Sequence, residues 1–264
     1  MIRKLKQSDM PRVLEYVCQD AAYNIFIIGD IETFGMETDF QRVYGEFDLA
    51  DNLLSVFLRY RENAIYYSHD QRFNLGYLDI FNQDPFIYIS GKTSLMQLIE
   101  PYLEGFTKKH TYFCKTDVLN VPHINDKNIK VLSTTKDAEK LYDLLSAIDE
   151  FGYSRKDKSS FIEQKTSDKS MGITLMIEDG DRVISSVATT AETTKNAMVV
   201  AVATHPLERN HGYASLLMEA LMDIYINQKK KELCLFYDNP KAGSIYHRLG
   251  FKTIGTWDMY QKQN

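Results

Sequence analysis

The stretch Pro206-Leu207-Glu208-Arg209-Asn210-His211-Gly212-Tyr213-Ala214 places a cation, a glycine and a small residue where a tight turn runs into a helix. The first amides of such a helix have no intrahelical partner, and its dipole adds partial positive charge at the same end. Together these features bind an anion, and a pyrophosphate fits there without a metal. Arg209 through Ala214 form the grip: Gly212 lets a ligand approach the backbone, Ala214 keeps the helix start uncrowded, and Arg209 offers charge-assisted donors. The RxxGxA string is unspecific by itself. A second pattern downstream, made of Asn239, Ala242, Ile245, Tyr246, Gly250 and Phe251, gives it context.

The turn needs a strand before it and a helix after it. Residues 198–204 lack polar alternation and read as a central strand buried on both faces. Residues 214–226 read as a helix with Leu217, Leu221 and Ile224 inward. A buried strand at 233–237, a helix at 240–248 stopped at Gly250, and a last strand at 251–260 follow. Upstream, residues 137–148 form an amphipathic helix carrying Leu141, Leu144, Leu145 and Ile148, and 173–177 with 183–187 make a hairpin about Asp179-Gly180.

The first half is less regular. Residues 44–47, 53–60, 64–68, 86–89 and 112–114 read as strands, and 93–104 as a helix bent at Pro101. Residues 24–31 are apolar on nearly every side and are buried in either secondary structure. Residues 120–128, rich in turn formers, read as a linker. Beyond it the opening of the chain recurs: Ile2, Leu5, Ser8, Leu14 and Val17 correspond at one offset to Ile129, Leu132, Thr135, Leu141 and Leu144. A duplicated fold is the reading this supports, although strand-cap-helix openings are common.

Composition limits the alternatives. The balance of 31 Lys+Arg against 36 Asp+Glu offers no footprint for a polyanion, so nucleic acid is not an expected partner. The 3 cysteines, Cys18, Cys114 and Cys234, show no metal-binding or disulfide spacing. The N-terminus lacks a signal core and no apolar run is long enough to span a membrane, so a cytoplasmic protein is expected.

From residue 199 to 251 the sequence resembles the GNAT superfamily of acetyl-CoA-dependent N-acetyltransferases: a strand ending at Thr204, Pro206, the RxxGxA turn, and the NxxA helix with its tyrosine. The resemblance implies an α+β fold of mixed-sheet GNAT type, with a degenerate GNAT-like domain at 1–125 and a complete acetyl-CoA-binding domain at 126–264. It implies that backbone groups of Val202, Ala203 and Thr204 pair with the pantetheine arm, that Arg209, Asn210, His211, Gly212, Tyr213 and Ala214 hold the pyrophosphate, and that Asn239 contacts the pantetheine or nearby phosphates. Tyr246 is implied as the acid for the departing thiolate.

Direct transfer of an acetyl group from acetyl-CoA to a primary amine needs an oriented amine and a proton acceptor, but no metal. Glu192, after the third strand of the second half, and Glu150, in the loop after its first helix, are candidate bases, each against a solvated surface role. His205, a lone histidine beside proline, and the His211 ring read first as structural. The mix of acid, aromatic and glycine at 149–155 suits an acceptor loop. Gly91-Lys92-Thr93-Ser94 reads as a helix cap where the second half has its phosphate turn. The expected partners are a small-molecule or peptide amine, with the chain as monomer or homodimer. Two other readings stay open: a non-catalytic acyl-CoA sensor or scaffold, and transfer of a longer acyl chain.

Overall fold

The computed structural model describes residues 1–118, 126–151, 157–167 and 172–263. The first half runs β1 (Ile2–Lys4), α1 (Met10–Val17), α2 (Ile25–Phe34), β2 (Gln41–Phe47), β3 (Leu53–Tyr60), β4 (Asn63–Tyr67), α3 (Tyr77–Gln83), β5 (Tyr88–Lys92), α4 (Thr93–Ile99) and β6 (Phe106–Thr116). The second half repeats that order: β7 (Ile129–Val131), α5 (Thr135–Ser146), α6 (Lys158–Ser167), β8 (Thr174–Asp179), β9 (Arg182–Thr190), β10 (Asn196–Thr204), α7 (Tyr213–Met222), β11 (Glu232–Tyr237), α8 (Pro240–Arg248) and β12 (Lys252–Lys262).

Two compact units form, each from more than one stretch of chain. One comprises Met1–Phe113, Phe236–Asp238 and Thr253–Asn264; the other comprises Cys114–Leu235 and Asn239–Lys252. Residues 119–125, next to the expected boundary between 125 and 126, lie outside the described residues.

In the first unit the strand order is β1-β2-β3-β4-β5-β12-β6. The C-terminal strand pairs antiparallel with β5, from Trp257↔Lys92 to Gln261↔Tyr88. Its Trp257 and Tyr260 are buried, and Trp257 packs against Phe26 and Phe113. The apolar residues at 24–31 resolve into α2, which buries Ile25, Ile27, Ile28, Gly29 and Ile31. Helix α3, not expected from periodicity, is short and is held by tertiary aromatic contacts: Tyr77 and Phe81 pack on Phe57. The helix at 93–99 gives way to a 3-10 turn at Glu100–Tyr102, where Pro101 removes a backbone donor.

In the second unit the order is β11-β10-β9-β8-β7. Thr134 begins α5 with a reciprocal cap: its hydroxyl accepts from Asp137 N (3.1 Å), and the Asp137 carboxylate accepts from Thr134 N (3.0 Å). The inner face of α5 supplies Leu141, Leu144 and Leu145, and Ile148 just beyond its end joins them in a core with Phe161, Met176 and Val183. Helix α6 buries Phe161 alone among its residues, so the sequence carries no apolar stripe to announce it. Gly180, at φ 60°, makes the expected hairpin turn between β8 and β9.

Candidate active site

Strand β10 carries the site. Its parallel register with β11 runs from Asn196↔Glu232 to Val199↔Leu235, and β10 then continues to Thr204. The sequence predicts burial on both faces throughout, yet only the first half of the strand obeys. Residues Asn196 to Val199 are buried, whereas Val200, Ala201, Val202 and Thr204 are half-buried. On its other edge the register with β9 shifts between Val200 and Ala203, and Ala201 adopts φ 51°. This is a bulge, which re-aims the backbone at the cost of a ladder bond. Two serines of β9 stabilise it: Ser186 Oγ donates to the Ala201 carbonyl (3.1 Å) and Ser185 Oγ to the Ala203 carbonyl (2.8 Å).

After β10, the His205 ring accepts from Leu207 N (3.3 Å) and so caps the 3-10 turn Pro206–Glu208, the structural role expected of it. Arg182 anchors that turn through Glu208 (2.7 Å). Asn210 (φ 69°) and Gly212 (φ 85°) are both left-handed, and α7 begins at Tyr213. No side chain caps this helix, and its first turn closes with Leu216 N donating to Gly212 O (3.0 Å). The amides of Tyr213, Ala214 and Ser215 thus lie ahead of the first helical bond, the donor set an anion uses. A Cβ on Gly212 meets nothing within 4 Å, so it is the left-handed backbone, rather than crowding within the protein, that calls for glycine.

Arg209 is exposed, and its Nε lies 3.4 Å from the Thr204 carbonyl. The His211 ring turns back onto Glu208 O (3.1 Å), leaving its backbone as its contribution to the turn. Arg248, which the sequence reading passed over, reaches from the last turn of α8 to Ser215 Oγ (3.2 Å) and brings a second guanidinium to the start of α7. The one available signal was its place two residues after Tyr246.

Asn239 begins α8 and its side chain accepts from Lys241 N (2.9 Å), so the Asn of the NxxA pattern is a helix cap in the first instance. Tyr246 is buried on the inner face of α8, edge-on to Phe251 at 6.1 Å. Burial, with a smaller contribution from Cys114, pushes its hydroxyl up to about 12, so it carries its proton at neutral pH.

The candidate bases fare differently. Glu192 lies beyond β9, beside the start of β10, while the anion turn follows the end of β10; the strand spans roughly 26 Å between them at 3.3 Å per residue. Its carboxylate accepts from Lys231 (2.7 Å), Lys229 (3.0 Å) and Tyr225 (2.9 Å). Burial alone raises its pKa, but the two lysines and the tyrosine outweigh this and lower it. The Glu192 carboxylate is thus engaged by two lysines and a tyrosine at the end of β10 away from the anion turn. Glu150 has its backbone in the 3-10 turn Asp149–Phe151, but its side chain and residues 152–156 of the expected acceptor loop lie outside the described residues.

In the first unit the Gly91-Lys92-Thr93-Ser94 junction is committed internally. Thr93 donates to Asp258 (3.0 Å), Ser94 bonds Gln71, and the Lys92 ammonium sits 4.8 Å from the centre of the Tyr23 ring.

Residues 138–251 match the Acetyltransferase (GNAT) family. Solved structures resemble the whole chain. A Drosophila protein superposes with a TM-score of 0.71 at 11% identity, over 99% of this chain and 98% of that one. A GCN5-related N-acetyltransferase from Sphaerobacter thermophilus gives 0.60 at 15% identity, over 99% and 95%. A tandem GNAT protein from the clavulanic acid biosynthesis pathway gives 0.57 at 9% identity, over 100% and 99%. No curated protein matches the sequence. The chain thus has the mixed α+β GNAT fold, and residues 138–251 are a domain of the GNAT acetyltransferase family. No helix among the described residues is long and apolar enough to cross a membrane.

Proposed function

We propose that the protein transfers an acetyl group from acetyl-CoA to a primary amine in a ternary complex. The observation that carries this reading is the uncapped start of α7, entered through left-handed Asn210 and Gly212 directly after the bulged, half-buried end of β10. Arg209 to Ala214, joined by Arg248, would hold the pyrophosphate, and the backbone of Val202, Ala203 and Thr204 the pantetheine. When bound, the thioester supplies an already activated acyl carbon. The chain then has three tasks: to align the amine, to take up its proton, and to return one to the leaving sulfur. Tyr246, protonated at neutral pH and placed on the helix that Asn239 caps, is the donor for the sulfur. The recurring element order supports a duplicated GNAT origin for the first half, whose own junction at Thr93 and Ser94 has its hydroxyls engaged and would not bind cofactor.

Thiol release from acetyl-CoA over polyamines, amino acids, aminoglycosides and peptide N-termini tests the reading. Amine-dependent release is expected with at least one class. Stabilisation by CoA with no release from any acceptor or longer acyl-CoA would instead favour a sensor.

A further inference from the structure

Helix α5 carries Lys140, Asp143, Leu144 and, one residue past its end, Ala147 at spacings of three and four, which sets them on one face. That face meets the start of β9 and the residue after β10, all within the second unit, around a hollow of about 190 Å³. Leu144 and Val183, both buried, form its floor together with Ala147, whose small side chain keeps the hollow open. The volume matches that of about six waters at roughly 30 Å³ each, room for a molecule the size of an amino acid.

The rim offers both signs of charge. Arg182 spends only Nη2 on its pairs with Asp179 (3.0 Å) and Glu208 (2.7 Å), so its Nη1 and Nε are free among the described residues. The His205 ring accepts from Leu207 N at Nδ1 (3.3 Å), and this fixes its tautomer. The neutral ring then carries its proton on Nε2, a donor with no partner among the described residues. These donors suit a carboxylate. Acceptors for a cation come from Asp143 and Asp181. Their pairs with Lys158 (2.7 Å) and Lys136 (3.6 Å) join exposed groups and are worth little, so a ligand cation can replace them. Lys140, nearly buried, is committed to Glu178 (3.1 Å) and also meets Asp181 (3.5 Å). Since every rim charge is already balanced, a ligand of net charge would leave an excess, whereas a zwitterion adds none.

We propose that this hollow binds a free α-amino acid with an apolar side chain, and that its occupant steadies the anion turn. The carboxylate takes Arg182 and His205, the ammonium takes Asp143, and the side chain lies on Leu144, Ala147 and Val183. The same two donors hold the 3-10 turn ahead of the anion grip, Arg182 through Glu208 and His205 through Leu207 N. An occupant that fixes them therefore fixes the approach to Asn210 and Gly212. By linkage, the amino acid and CoA each tighten the other's binding by the same factor. The link to CoA rests on the function proposed above, whereas the amino-acid site itself does not.

Calorimetric titration of the full chain with L-leucine tests the site, against 4-methylpentanoate, which lacks the ammonium, and 3-methylbutylamine, which lacks the carboxylate. Leucine is expected to bind saturably and at least tenfold more tightly than either. Asp143→Asn, at an exposed position, is expected to remove most of the preference over 4-methylpentanoate. Ala147→Leu, also exposed, is expected to fill the hollow and abolish leucine binding without lowering the unfolding temperature. No leucine binding by the wild type, no preference over the two analogues, or wild-type affinity in both variants overturns the proposal. CoA titrated in saturating leucine is expected to bind several-fold more tightly than without it. Leucine that binds and leaves CoA affinity unchanged overturns the link to the turn. CoA that binds under neither condition defeats the proposed function instead, and the leucine titrations still decide the site.

Discussion

Asp30→Asn should make the protein more stable, by an amount that grows from nothing near pH 4 to its full size above pH 7. The ordinary carboxyl titrates near 3.8, whereas burial in α2 lifts that of Asp30 to about 7. Below about pH 4 the group is neutral in both the folded and the unfolded chain, and its charge costs nothing. Between about 4 and 7 the unfolded chain loses the proton while the folded chain keeps it, so stability falls as pH rises. Above 7 the whole penalty is present, roughly 4 kcal/mol at 1.36 kcal/mol per pKa unit. The amide cannot ionise and escapes it. Trp257, the only tryptophan of the chain, is buried in the same unit, so its fluorescence during urea unfolding reports on that unit. The variant should gain about 2–4 kcal/mol over wild type at pH 8 and almost nothing at pH 4. An equal effect at both pH values, or a loss at pH 8, would refute the placement of an unpaired, desolvated carboxylate on α2.

Three further outcomes follow from the second unit. Gly212→Ala forces a side chain into φ 85° without a steric clash, so stability should drop by about 1 kcal/mol while CoA binding falls more steeply, as seen by thermal shift with and without CoA. Tyr246→Phe should lower kcat roughly hundredfold or more in thiol-release assays while leaving CoA affinity intact; an unchanged kcat removes Tyr246 as the acid. Glu192→Gln should leave turnover within about twofold but lower the melting temperature, by weakening bonds to Lys229, Lys231 and Tyr225 worth about 1–3 kcal/mol. Because the Glu192 pKa is lowered, that contribution is present at neutral pH and fades as pH drops through the acid range.

The parts of the site that depend on local chemistry were legible in the sequence. A glycine before a small residue at a helix start, and an asparagine before proline, encode the Gly212 turn and the Asn239 cap within a few residues. Features set by distant chain were not. The bulge at Ala201 depends on Ser185 and Ser186 of the neighbouring strand, and Ala201 itself is an unremarkable residue in an apolar run. Glu192 looked free because Lys229 and Lys231 lie far along the chain. The C-terminal strand was legible as a strand, but its place beside β5 rests on pairings such as Trp257↔Lys92 that no periodicity announces. Asp30 was hidden for the opposite reason: an apolar segment signals burial and so draws attention away from the single charge it carries.

If the start of α7 holds the phosphates of acetyl-CoA, calorimetric titration of the full chain with acetyl-CoA will register it. Saturable binding of one molecule per chain is expected, weakened at least tenfold by Gly212→Ala and several-fold by Arg248→Ala. Absence of binding by the wild type, or equal affinity in all three proteins, would contradict it.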